Sequence, residues 1–177
     1  GGPGVGKSTL AAGLFWFFKT NRLTLKHSYV IELVREFAKD LVWAQDLYTL
    51  KNQVYVTSTQ YHRMYVLNGK VDMAITDSPL LLGLLYGDYP ASYKPYLLDL
   101  HNTFNNLNIF IERKVPFEQE GRQQNEIEAI DKDREIKNIL TENNIEFIIY
   151  NELFSYESLR KLSLNIIDHY NRINESR

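Results

Sequence analysis

Cysteine is absent from this chain of 177 residues. Its absence excludes a disulfide scaffold, a thiolate metal site and a cysteine nucleophile, and it suits a reducing cytosol. A strong excess of one charge is also absent, because 20 Lys and Arg against 22 Asp and Glu leave a formal net charge of −2. This balance argues against a broad phosphate-binding face for duplex DNA, although a local basic groove is compatible with it.

Long apolar runs are missing as well. An apolar stretch at residues 14–18 is far too short to cross a bilayer, and no secretory signal pattern is visible. No repeat, low-complexity tract or linker interrupts the chain, and 44% hydrophobic and 24% charged residues are typical of a soluble domain. We therefore expect residues 1–177 to form a single cytoplasmic domain without a membrane partner.

What the sequence has is a complete phosphate loop from its first residue, G-G-P-G-V-G-K-S-T, which fits G-x-x-x-x-G-K-[ST]. The glycines let several backbone N–H groups point at one phosphate chain, Lys7 reaches the β- and γ-phosphates, and Ser8 offers a hydroxyl to Mg²⁺. The helix that follows directs its positive end at the same phosphates. We predict that a nucleotide is bound by nine residues: Gly1, Gly2, Pro3, Gly4, Val5, Gly6, Lys7, Ser8 and Thr9.

Apolar spacing predicts alternating helices and strands along the chain. The predicted helices span 7–20, 46–67, 93–104, 126–140 and 156–170, a helical or turn-like segment spans 35–43, and the predicted strands span 29–34, 71–76, 107–111 and 146–150. This alternation predicts an α/β protein with a parallel sheet flanked by helices. The polar stretch 113–124 contains Pro116 and Gly121, so we expect a small lid at about 113–135.

The start of the chain departs from this scheme. A phosphate loop normally follows a buried parallel strand, and neither an apolar run nor an initiator methionine precedes Gly1. We interpret the chain as truncated at its N-terminus, without the first strand of its sheet. Such a loss exposes apolar surface and unpaired strand edges. We expect the chain as written to be poorly soluble, and an added apolar N-terminal segment to rescue it.

Two carboxylates follow predicted strands. Asp77 ends the strand 71–76 and can hold Mg²⁺ or accept a proton, or it can simply cap a turn with Pro79. Glu36 follows the strand 29–34 and can accept the proton of an acceptor hydroxyl, or it can be a solvated first-turn glutamate. Because ligands of parallel sheets bind beyond the carboxyl ends of the strands, we predict functional roles for both. The rival Glu32 lies inside its strand and is interpreted as structural.

Cations and an amide complete the candidate site. Arg113, which follows a strand, and Arg122, which lies beside Gly121, can neutralise the transferred phosphoryl group from a mobile lid, whereas a solvated charged segment is the alternative. Gln60 and Arg63 share a helix face and are candidates for contacting the substrate, although exposed polar helix residues would produce the same pattern. The four histidines show no paired metal spacing, and we assign them no role.

Four segments together resemble the phage-type P-loop kinases, which are related to the nicotinamide-riboside-kinase-like ATPases and include phage 5-hydroxymethyluracil DNA kinases. The segments are the phosphate loop, V-R-E-F-A-K-D-L at 34–41, T-D-S-P-L-L-L at 76–82 and G-R-Q at 121–123. The resemblance implies a P-loop kinase-like fold and transfer of the γ-phosphate of ATP, with Mg²⁺, to a hydroxyl of a nucleoside, a nucleotide or a modified DNA base. It places Lys7 and Ser8 on ATP and Mg²⁺, Asp77 and Glu36 near the transferred group, and Arg113 and Arg122 in the lid.

The chain departs from this family at Ala44, where an acidic residue is expected after Trp43. The resemblance also implies a phage-encoded protein in a host cytoplasm, with no metal other than Mg²⁺. A different class, an ATPase or GTPase that acts as a switch without a phosphate acceptor, stays open. No N-K-x-D base-reading motif occurs, and 177 residues leave little room for the helical subdomain of a motor ATPase. A catalytically inactive binding module is disfavoured because Lys7, Ser8 and Asp77 are all present.

Overall fold

The structure is a computed structural model that describes residues 1–21, 28–87, 89–114 and 125–175. Helices and strands alternate along the chain in the order α1 (Lys7–Thr20), β1 (Ile31–Val34), α2 (Phe37–Trp43), α3 (Leu47–Lys51), α4 (Gln53–Tyr65), β2 (Met73–Thr76), a 3₁₀ helix (Leu80–Leu84), α5 (Tyr93–Asn102), β3 (Asn108–Ile111), α6 (Glu126–Glu142), β4 (Phe147–Tyr150) and α7 (Tyr156–Glu175). This confirms the predicted α/β protein of parallel strands flanked by helices.

The strands form two parallel pairs. β1 pairs with β2 so that Val34 lies beside Thr76, and β3 pairs with β4 so that Ile111 lies beside Tyr150. Within the described ranges the two pairs are not hydrogen-bonded to each other, so the single predicted sheet is observed as two halves. The register of the first pair brings Glu36 and Asp77, which follow its two strands, to the same edge.

Two apolar clusters hold the helices on these strands. One cluster packs α1 and α7 around the strands; its buried members include Leu10, Leu14, Phe18, Ile31, Ile111, Tyr150 and Leu162. The other joins the 3₁₀ helix, α5 and α6; its buried members include Leu80, Leu84, Tyr93, Leu97, Phe110, Ile136 and Leu140. Burial of this apolar surface is the main term that favours the folded state.

The predicted long helix over 46–67 is wrong as a single element. It is broken into α3 and α4 at Asn52, whose side-chain oxygen accepts a hydrogen bond from the backbone N–H of Tyr55 at 3.2 Å. Asp46 caps α3 in the same way, accepting from the N–H of Thr49 at 3.0 Å. Because Asp and Asn satisfy the free N–H groups at helix starts, each one begins a new helix. The break turns the start of α4 towards the cleft described below.

The strand after α4 also differs from expectation. The sequence predicts that it is buried on both faces, but Ala74 is exposed and none of the four residues of β2 is fully buried. Apolar residues in a short segment indicate that it prefers to form a strand. How far that strand is buried depends on the elements that pack around it.

Candidate active site

The phosphate loop has the backbone that its glycines predict. Gly4 and Gly6 have φ values of 74° and 93°, in the left-handed region that favours glycine. A Cβ atom on Gly6 would also lie 2.5 Å from Cε2 of Phe154, the aromatic residue that follows β4. α1 begins directly after Gly6, and its first hydrogen bond runs from the N–H of Leu10 to the Gly6 carbonyl at 2.9 Å. The N-terminus of this helix is therefore presented at the loop, as anion binding requires.

Lys7 lies inside the loop. Its Nζ donates to the carbonyl oxygens of Gly1 and Gly2 at 3.0 and 2.8 Å. Burial lowers the pKa of Lys7, and the carboxylates of Glu36 and Asp133 oppose that effect. The ammonium is thus a partly desolvated charge at the point where phosphate charge would be neutralised, and the interaction is stronger there than in water.

Ser8 and Asp77 meet at the mouth of the loop. Ser8 Oγ donates to Asp77 Oδ2 at 2.5 Å, and the backbone N–H of Glu36 donates to Asp77 Oδ1 at 3.0 Å. Asp77 is 8% exposed. It follows β2 directly and accepts from the residue that comes shortly after β1, so the ends of both strands fix its carboxylate. A hydroxyl and a carboxylate oxygen side by side are the hard ligands that Mg²⁺ prefers, so Ser8 and Asp77 would hold a Mg²⁺ ion that neutralises phosphate charge.

Glu36 follows β1 and lines the same cleft. It stands at the N-cap position of α2, yet its side chain makes no capping hydrogen bond. Burial raises the pKa of the Glu36 carboxyl; Lys7 opposes this effect, while Asp77 adds to it. A carboxylate with a raised pKa is suited to accept a proton, and the role of Glu36 as a base stays a prediction.

Arg113 contacts the backbone of the phosphate loop and an acidic residue of α6. Its Nη2 donates to the carbonyl of Pro3 at 2.9 Å, and Nε and Nη2 donate to Asp133 Oδ2 at 3.1 and 2.9 Å. Asp133 also accepts from the backbone N–H of Gly2. A Cβ atom on Gly2 would lie 2.6 Å from the carbonyl oxygen of buried Ala129, so only glycine lets α6 approach the loop this closely. The role of Arg113 at the transferred phosphate stays a prediction.

The remaining predicted site residues are divided. Gln60 is buried, its Oε1 accepts from the N–H of Phe37 at 3.0 Å, and its Nε2 donates to Thr76 Oγ1 at 3.3 Å. Arg63 donates to Asp40 at 2.8 Å and lies over the Phe37 ring. Gln60 and Arg63 therefore hold α4 against α2, and Gln60 also contacts the end of β2; their contact with a substrate stays a prediction.

The predicted lid lies only partly within the described residues, and it stays a prediction. Arg122 and the rest of 115–124 lie outside them. The second half of the predicted lid is the first half of α6, where Asn125 and Glu128 form a reciprocal cap and Ala129 packs on the phosphate loop. Arg134 pairs with Asp131 on the exposed face of this helix.

A cleft of about 520 Å³ is lined by the phosphate loop, Glu36 and Gln60 among the groups described above. Its first part is the phosphate loop with Glu36. Its second part, called here the apolar compartment, lies between α2–α4 and the 3₁₀ helix; its walls include Val42, Trp43, Leu47, Leu50, Gln53, Val56, Leu82 and Tyr86. Sequence reasoning missed Trp43, Gln53 and Asp133 as site residues. For Trp43 the signal was an isolated aromatic at a helix end, but for the other two only the packing of distant elements reveals the role.

The charges of the cleft are mainly positive. Three lysines (Lys7, Lys39 and Lys51) line it, and Glu36 is the one acidic residue among the described lining residues. This balance fits a ligand that carries several phosphate charges. Over the described ranges no three or more His, Cys, Asp or Glu side chains are grouped to hold a metal. In those ranges, too, no helix combines the length and apolarity needed to span a membrane.

Comparison with known proteins gives one match. A family model described as an AAA domain matches residues 1–157, which contain the phosphate loop, both carboxylates and the whole cleft. No curated protein and no solved structure matches the chain.

Proposed function

The chain belongs to the AAA domain family, whose members are P-loop nucleotide-binding proteins, and on that premise we propose that it is an ATP-dependent kinase. It transfers the γ-phosphate of ATP to a hydroxyl of a nucleoside, a nucleotide or a modified DNA base. We propose further that residues 1–177 act as one kinase domain with a lid at about 113–135 and work in the cytoplasm. The similarity to phage 5-hydroxymethyluracil DNA kinases in four segments supports this acceptor class.

One observation carries the proposal: Glu36, with a raised pKa, lines the same cleft as the phosphate loop and the apolar compartment, and its backbone N–H donates to Asp77. A kinase needs a base that accepts the proton of the acceptor hydroxyl, and we assign that role to this carboxylate. A switch ATPase needs room for ATP and a water molecule only. The apolar walls of Leu47, Leu50 and Val56, together with the polar Gln53, suit an organic acceptor rather than a single water molecule.

Each residue then has a role in the transfer. Lys7 and the loop N–H groups hold the β- and γ-phosphates, and Ser8 and Asp77 hold Mg²⁺, which neutralises phosphate charge when it is bound. Glu36 accepts the proton of the acceptor hydroxyl. That oxygen forms a bond to the γ-phosphorus while the bond from the phosphorus to the β–γ bridging oxygen breaks, and ADP leaves with the released electron pair.

The test measures ATP turnover with and without acceptors. Purified protein with Mg²⁺ and γ-labelled ATP is offered nucleosides, nucleotides, nicotinamide riboside and 5-hydroxymethyluracil-containing DNA, with Lys7→Ala as the inactive control. We expect label in one acceptor class and little phosphate release without an acceptor. Rapid acceptor-independent release would overturn the kinase and favour the switch ATPase.

A further inference from the structure

We propose that the apolar compartment binds a flat heteroaromatic ring of the acceptor that carries an N–H donor, and that Gln53 and Trp43 select this ring. The inference rests on the proposed function, since it concerns the acceptor end of the same cleft. Two observations carry it: a buried amide with one unused oxygen, and an exposed indole at the mouth.

Gln53 is the first residue of α4, and its side chain is 8% exposed while lining the cleft. Its amide contacts the carbonyl oxygen of Leu50 at 2.8 Å. Because a carbonyl only accepts, the atom that faces Leu50 is the amide nitrogen, and Oε1 points elsewhere. Among the described residues nothing donates to Oε1. Oε1 is also not among the fully buried unpaired atoms of the described residues, so it stays accessible to a molecule in the cleft that Gln53 lines, and a ligand N–H could donate to it there.

Gln60, on the same helix, differs from Gln53 in the hydrogen-bond partners of its side-chain amide. It is as deeply buried as Gln53, but both of its amide atoms have protein partners, the N–H of Phe37 and the hydroxyl of Thr76. Gln60 is therefore committed to the fold, whereas Gln53 has hydrogen-bonding capacity left for a ligand. The break at Asn52 is what brings Gln53 to the start of a helix and to the wall of the cleft.

Trp43 supplies the aromatic surface. It ends α2, lines the cleft, and leaves 69% of its side chain exposed. An exposed indole at the edge of a site whose walls include Val42, Leu47 and Leu50 offers a face on which a flat ring can stack. Aromatic and aliphatic walls beside the hydrogen-bond acceptor of Gln53 suit a heteroaromatic ring.

The matched control is Tyr48, which lies on α3 close to Trp43 in sequence. It is 91% exposed and is not among the described residues that line the cleft. Trp43→Leu and Tyr48→Leu therefore both remove an exposed aromatic ring, but only the first removes it from the compartment.

The experiment uses Trp43 as its own probe. The chain has two tryptophans, so Trp16→Phe leaves Trp43 as the only indole. Its emission is followed while uridine, 3-methyluridine, inosine, 1-methylinosine and ribose are added separately. Within each nucleoside pair, methylation removes the ring N–H and keeps the ring. We expect saturable quenching by at least one N–H-bearing nucleoside, about 10-fold weaker binding of its methylated form, and no quenching by ribose.

Variants then assign the effect to residues. Gln53→Leu should bind both members of the pair equally, because the hydrogen bond is gone, and Gln53→Met repeats the test with another apolar side chain. In transfer assays Trp43→Leu should raise the acceptor KM about 10-fold, while Tyr48→Leu leaves it unchanged. If Gln53→Leu still discriminates against the methylated ring, the discrimination is steric and the role of Gln53 is wrong.

The outcomes separate this inference from the proposed function. Quenching without any phosphate transfer would overturn the kinase and leave the ring site. Transfer to ribose as efficient as transfer to nucleosides, or a Trp43→Leu variant with an unchanged acceptor KM, would overturn the ring site and leave the kinase. Absence of quenching by every nucleoside in the panel also overturns the ring site.

Discussion

Lys7 is the residue whose loss should be most damaging to transfer. It is the cation that the loop carbonyls of Gly1 and Gly2 hold in place. Lys7→Ala should lower the rate of phosphate transfer by at least ~10²-fold, the scale of deleting one preorganised charge from an active site. Lys19→Ala is the control, since Lys19 lies on the same helix but pairs with half-exposed Glu32 at 3.6 Å. Equal activity of the two variants would mean that the phosphate loop is not the working site.

Substitutions of the two neighbouring carboxylates, Asp77 and Glu36, should have different effects on the Mg²⁺ requirement and on kcat. Asp77→Asn keeps an oxygen for the Glu36 N–H and an amide for Ser8, so the fold should persist while the charge is lost. For Asp77→Asn we expect a higher Mg²⁺ requirement as well as a lower kcat.

Glu36→Gln should leave ATP–Mg²⁺ affinity nearly unchanged and lower kcat for the acceptor by about 10²–10⁴-fold, as removal of a general base does. Separate titrations of Mg²⁺ and acceptor decide the matter; the reverse pattern would exchange the two roles.

At the scale of elements, α6 is joined to the phosphate loop through one buried ion pair. Asp133 and Arg113 are 17% and 14% exposed, and both contact the loop backbone. Asp133→Asn should weaken ATP binding about 10-fold and cost up to about 3 kcal/mol of unfolding free energy, because a nearly buried guanidinium loses its charge partner.

Asp131→Asn is the matched control on the same helix. Asp131 pairs with Arg134, but both side chains are more than half exposed, so its loss should change the free energy of unfolding by less than about 1 kcal/mol. Calorimetric titration with ATP and thermal melts measure both quantities. A variant at Asp133 that melts earlier but binds ATP normally would mean that the pair is only structural.

How much of the fold the sequence predicts depends on the range of the contacts involved. The helix Lys7–Thr20 was predicted to run from Lys7 to about Thr20, close to its observed bounds, because its apolar period and preceding glycine are local signals. The break at Asn52 was missed because Val54 and Tyr55 continue the apolar appearance of the segment, and both are exposed in the structure. A stripe of apolar letters shows a helical period, but it does not show which residues find a partner.

The candidate site also contains residues that local sequence signals predict and residues that only long-range packing reveals. The phosphate loop, Ser8 and Asp77 could be predicted because each belongs to a motif with fixed spacing or to the end of a strand. Asp133 lies 131 residues beyond Gly2, and only the packing of α6 brings it there. Gln53 and Gln60 look equivalent in the sequence, and only their hydrogen-bond partners distinguish them.

For the whole molecule, buried His101 predicts how stability responds to pH. It is 5% exposed in the last turn of α5, and burial lowers its pKa below the ordinary value. An unfolded histidine titrates near about 6.5. Below that pH the unfolded chain binds a proton that the folded chain resists, so stability falls as the pH drops towards the folded pKa.

The measurement is the free energy of unfolding in denaturant from about pH 7.5 to about pH 5.5. We expect the wild type to lose stability relative to His101→Leu as the pH falls, and the difference between the two to be constant above the unfolded pKa. A difference that stays the same across the whole range would show that His101 protonates equally in both states.

The contacts of the phosphate loop also bear on the order in which a ribosome releases this chain. Residues 1–9 leave the exit tunnel long before Asp133, which accepts from the Gly2 N–H, and Phe154, whose ring lies against Gly6. A nascent chain therefore contains the complete phosphate-loop sequence long before that loop can adopt its folded conformation. Nucleotide affinity should arise only after Asp133 and Phe154 have emerged, so stalled chains that end before Asp133 would leave ATP unbound.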